Sequence, residues 1–115
     1  MVNDMFDIAL RQLAGLNVCP EGLPVPQVTV LRSKQGNTYV TENDLHGATC
    51  AQLKEKGDTQ IVKCLTVWKG GQIDLPSWQF RRALLALDER NCDVELLLQG
   101  KNGVVAKKLS DIERI

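Results

Sequence analysis

The chain has 115 residues, 43% hydrophobic and 24% charged, a length and composition that suit one globular domain, residues 1–115, around one core. Fourteen basic residues balance fourteen acidic ones, so the attraction used by nonspecific nucleic-acid binders is missing, and no apolar run approaches the ~18 residues needed to span a bilayer. Met1 to Asp7 has two acidic residues and no basic one, unlike the positive start of a secretory signal, so a cytoplasmic location with no membrane partner is expected.

Asn3 is placed to cap a first helix, in which Phe6, Ala9, Leu10 and Leu13 form one apolar stripe that ends near Gly15. Val18 to Pro26 holds three prolines and Gly22, which predicts an extended connection. Gln27 to Arg32 and Asn37 to Thr41 are rich in β-branched residues, with Gln35-Gly36-Asn37 as the corner of a hairpin. Thr41 and Asp44 have nearly the spacing of a capping box, which predicts a second helix from Thr41 to Gly57. Gly47 inside it favours an alternative, a short turn followed by a helix from about Ala48.

Gln60 to Trp68 reads as a central strand, because both of its alternating faces are largely apolar. Lys69-Gly70-Gly71 turns the chain, Gln72 to Leu75 pairs briefly, and Pro76 opens a third helix within Asp74 to Asn91. Cys92 to Gln99 alternates as a strand with Cys92, Val94, Leu96 and Leu98 inward. Gly100 to Gly103 makes a hairpin turn, Val104 to Leu109 returns, and Ser110 starts one last turn. The expected fold is α+β, an antiparallel or mixed sheet with helices packed on it, in the order α-β-β-α-β-(β)-α-β-β.

Cys19, Cys50, Cys64 and Cys92 include no close pair of the kind zinc sites use, so buried thiols, no metal and no cofactor are expected. Asp44, His46 and Cys50 are the one set with catalytic character. On a helix His46 and Cys50 would share a face, so the imidazole could activate the thiol, although Leu53 continues the same stripe as a core would. No phosphate loop occurs, and the paired carboxylates fall on helix ends and alternating strand positions. Arg81-Arg82 and Lys107-Lys108 are short pairs, and five aromatic residues offer little for base stacking.

The third helix carries two apolar faces. Phe80, Ala83, Leu84 and Leu87 form one, expected against the strand at Val94 to Leu98, while Trp78 and Leu85 lie opposite beside Arg82. Trp78, Arg82 and Leu85 are therefore the candidate interface, with a second copy of the chain as the simplest cover and a small molecule or another protein as alternatives. These residues point first to a small cytoplasmic binding or interaction module of unknown ligand, homodimeric, that works through a surface and not through bond chemistry. A small thiol enzyme using Cys50 with His46 is the second reading, and a nucleic-acid-associated regulator the third.

Overall fold

The structure is a computed structural model that describes residues 2–16 and 25–112. Cys19 and most of the connection expected over Val18 to Pro26 lie outside the described residues. The central strand β3 (Ile61–Trp68) is apolar on both faces, and each face has its own cover. Beside it run β1 (Gln27–Ser33) and then β2 (Thr38–Glu42), a hairpin whose turn places Gly36 at φ +91°. On the other side, β5 (Glu95–Gly100) pairs parallel with β3 from Lys63↔Glu95 to Leu65↔Leu97, and β6 (Gly103–Lys108) pairs antiparallel with β5. The short β4 (Ile73–Asp74) pairs with the end of β3, so the mixed six-stranded sheet has the order β2-β1-β3-β5-β6 with β4 off that path.

A parallel pair needs a crossover, which runs here through β4 and the helix α3 (Trp78–Leu87). Helix α1 (Val2–Ala14) lays Met5, Ala9 and Leu13 on Val28, Val30, Leu65, Val67 and Leu97. The opposite face of the sheet is covered by α2 (Thr49–Lys56), α3 and α4 (Leu109–Ile112). There Leu31, Ile61, Cys64 and Leu96 meet Cys50, Leu53, Phe80, Leu84 and Leu109. The α+β class and the mixed sheet are as the sequence implies.

Several boundaries differ. The second helix does not start at Thr41: residues 43–48 form a loop and α2 begins at Thr49, close to the alternative start at Ala48, with Gly57 left-handed at its end as expected. Pro76 does not open α3, because Ser77 is the N-cap and its side chain accepts from the Phe80 N–H at 3.2 Å. The chain after α3 makes a 3-10 turn over Glu89–Asp93, so Cys92 sits outside the strand and is only half-buried. Leu98 is half-buried while Leu97 is buried under α1, so β5 has two apolar faces where one was expected. In α1 the buried stripe runs through Met5 in place of Leu10, which is exposed.

One polar group was not foreseen. Asn91 is fully buried, accepts from the Ile61 N–H at 2.8 Å, and donates to the carbonyls of Thr59 at 3.0 Å and Leu84 at 2.8 Å. It ties the end of α3 to the start of β3, satisfying backbone groups that would otherwise be buried without partners.

Candidate functional site

The loop before α2 and the start of α3 meet at one corner. Asp44 turns toward α2, accepting from the Ala48 N–H at 2.8 Å and the Thr49 N–H at 3.0 Å, while the Thr41 hydroxyl donates to it at 3.2 Å. The capping role inferred for this Thr41 and Asp44 pair is therefore carried by Asp44 alone, several residues further along the chain. Cys50 is buried in the first turn of α2, and Leu53 follows into the core. Burial, with the Asp44 carboxylate adding to it, pushes the Cys50 thiol up to about 11.

From the other side, Ser77 caps α3 and its hydroxyl donates to the Leu45 carbonyl. Phe80, one turn into α3, is fully buried. Gly47 lies between the two helices at φ +75°, and a Cβ built there would come 2.5 Å from the Ala83 Cβ and 3.7 Å from both the Cys50 Sγ and the Phe80 Cα. The loop backbone therefore rests directly on α3, and only glycine leaves room for that approach. A cavity of about 790 Å³ is lined by Trp68, Gly71 and Asp74, among others, and by no residue of this corner.

His46 is exposed in the loop while Cys50 is buried in the helix, so the two do not share a helical face. The thiol-enzyme reading fails on that geometry, and the raised Cys50 thiol is the opposite of an activated thiolate. Trp78 stands 61% exposed with Arg82 exposed one turn on. Leu85, however, is half-buried and packs against the inner cluster, as do Ala83 and Leu87. The second apolar face of α3 therefore shrinks to Trp78, and Leu85 joins the core.

No protein-family model and no curated protein matches the chain. Solved structures do match in fold. The fold is that of the cytidine deaminases, over nearly the full length of both partners. The enzyme from Mycobacterium leprae aligns with a TM-score of 0.72 at 13% identity, covering 99% of this chain and 98% of its own. That from Mycobacterium tuberculosis gives 0.68 at 18% identity, with 96% and 92% covered. That from Burkholderia pseudomallei gives 0.70 at 11% identity, with 99% and 97% covered. At these identities the likeness establishes the fold. The expectation of a binding or interaction module of unknown ligand is corrected on that ground: the chain carries a fold shared over nearly its whole length with cytidine deaminases.

Zinc deaminases hold their ion with one His or Cys and two further Cys, in a His-x-Glu and Pro-Cys-x-x-Cys signature whose Glu moves the proton. The matching spacing here is Cys50-Ala51-Gln52 followed by Pro76-Ser77-Trp78-Gln79-Phe80. Cys50 could serve as one ligand. Gln52 cannot exchange a proton as a carboxylate does, Ser77 is engaged with Leu45 and Phe80, and the Phe80 ring has no donor atom. Among the described residues no group of three or more His, Cys, Asp or Glu side chains could hold a metal ion. The residues do not fit zinc. Sequence reasoning passed over Gln52, Ser77 and Phe80 because a signature without two of its three ligands, and without its acid, has no chemical mark by which to find it.

Proposed function

We propose that the chain is a catalytically silent counterpart of the cytidine deaminases, a cytoplasmic homo-oligomer that keeps the deaminase body and carries out no zinc-dependent hydrolysis. The observation that carries this reading is the replacement at the signature spacing: Gln52 for the acid, with Ser77 and Phe80 for two ligands. An amide at Gln52 cannot deliver a proton to a leaving amino group, and one buried thiol cannot hold the ion that would activate water. Among the described residues no helix is long and apolar enough to cross a membrane. For the assembly, the exposed Trp78 with Arg82 beside it is the contact we assign, since an indole and a guanidinium with a hydrated rim suit the centre of a small interface.

The test is incubation of the zinc-supplemented chain with cytidine, following the loss of substrate absorbance, with the Mycobacterium tuberculosis enzyme as positive control. No turnover above the uncatalysed rate is expected, and zinc-dependent turnover would overturn the reading. Native mass spectrometry reads the subunit count in the same samples, and a monomer at every concentration would remove the homo-oligomer from it.

A further inference from the structure

We infer that the corner between α2 and α3 is a metal-free structural joint, in which Gly47 seats the loop on Ala83 and Phe80 fills the space between the helices. This rests on the functional reading only in taking the corner as the counterpart of a deaminase metal position. The packing itself stands on the geometry.

Four observations converge. The Gly47 backbone approaches α3 so closely that any Cβ would overlap the Ala83 Cβ, so no gap of ionic size separates loop and helix along that line. Phe80 is fully buried among Leu31, Leu53, Ile61, Cys64 and Leu84, and its ring occupies the inner side of the corner. The polar groups at the corner are already spent on the fold: Ser77 on the Leu45 carbonyl and the Phe80 N–H, Asp44 on two α2 N–H groups. Among the described residues, no buried side-chain nitrogen or oxygen lacks a partner. A site built for an ion leaves donor atoms waiting for it. This corner leaves one buried donor, the Cys50 thiol, too few to hold an ion, so apolar packing and two caps tie together segments that a bound metal would otherwise bridge, and folding needs no ion.

The experiment is thermal unfolding of the full chain, with and without chelator and with added zinc, followed by a double-mutant cycle on Gly47→Ala and Ala83→Gly. The midpoint is expected to be unmoved by chelator or zinc. Gly47→Ala should lower it by about 10 °C or more, from the overlap and the left-handed backbone together. In the Ala83→Gly background the same change should cost clearly less, because the opposing Cβ is gone while the backbone strain remains. If Gly47→Ala alone does not fold, folding of the double variant is the same rescue. A midpoint that chelator lowers or zinc raises would overturn the joint, as would equal losses in the two backgrounds. Zinc-dependent turnover of cytidine would instead strike the functional reading, so the two failures are told apart.

Discussion

The two faces of the sheet are built on different principles. Under α1, the side chains of Met5, Ala9, Leu13, Val28, Val30, Leu65, Val67 and Leu97 make an apolar layer whose requirement is periodicity and volume. Under α2 and α3, the apolar cluster is threaded by polar groups with fixed partners: the Thr29 and Thr66 hydroxyls 2.8 Å apart, the three hydrogen bonds of Asn91, and the caps made by Asp44 and Ser77. A face of the first kind tolerates substitution that keeps size and pattern. One of the second kind depends on single atoms, because a buried polar group without its partner costs the full penalty of desolvation.

The largest effect expected on the second face is at Phe80. Phe80→Ala removes a fully buried ring from the α2–α3 corner and should cost about 3 to 5 kcal/mol in urea titration, with Leu84→Ala next at about 2 to 5. Volume-conserving Leu65→Met under α1 should stay below about 1.5 kcal/mol, and a larger loss there would erase the contrast between the faces.

Asn91 sharpens the comparison. Asn91→Ala strands the Ile61 N–H and the Leu84 carbonyl in a buried setting and should cost about 2 to 3 kcal/mol. Asn91→Leu restores volume but not the hydrogen bonds, so it should recover little. Recovery to near wild type would show that size alone matters at this position.

The thiols give a pH signature on the same face. Burial pushes Cys50 up to about 11 and Cys64 up to about 12, so folding favours their neutral forms. The stability they contribute is complete below the unfolded thiol value of about 8.5 and is lost as pH rises through the folded values. Denaturation midpoints should therefore fall between about pH 8.5 and 11, and Cys50→Ala should flatten part of that fall. Alkylation should reach the half-buried Cys92 before Cys50 or Cys64. Acid acts through other groups. Burial would raise Asp58, but hydrogen bonds from Tyr39 and Asn37 outweigh it, and Arg90 side-chain hydrogen bonds hold Asp88 well below the usual range. Their contribution is present above about pH 4 and fades as pH falls through the folded values. A midpoint unchanged by acid would argue against these hydrogen bonds.

The smallest stability effect is expected on the outer side of α3. Trp78→Ala should change folding by no more than about 0.5 kcal/mol, because the side chain lies mostly in solvent, yet should weaken subunit association in sedimentation equilibrium. Unfolding of the variant would mean that Trp78 belongs to the core.

What the sequence disclosed follows the same division. The order of elements, the central place of β3 and the hairpin at Gly100 to Gly103 were legible because each rests on periodicity or turn chemistry. The start of α2 was not, because Asp44 caps a helix that begins several residues beyond the pattern it resembles. The inward face of β5 was misread because Leu96 and Leu97 are buried on opposite sides, which a count of alternation cannot separate from one apolar face. The corner was the least legible. Gly47 reads as a weak helix residue until its distance to Ala83 is known, and Ser77 and Phe80 carry no chemistry that marks them as replacements.

The metal content of the native chain bears most directly on this division. The protein would be expressed in zinc-rich medium, freed of loose ions by gel filtration and measured by atomic emission, beside a Ser77→Cys, Phe80→Cys variant that places two more thiols near Cys50. Wild type is expected to retain zinc far below one ion per chain, the variant more. One tightly held ion per wild-type chain would contradict a corner closed by Gly47, Ser77 and Phe80.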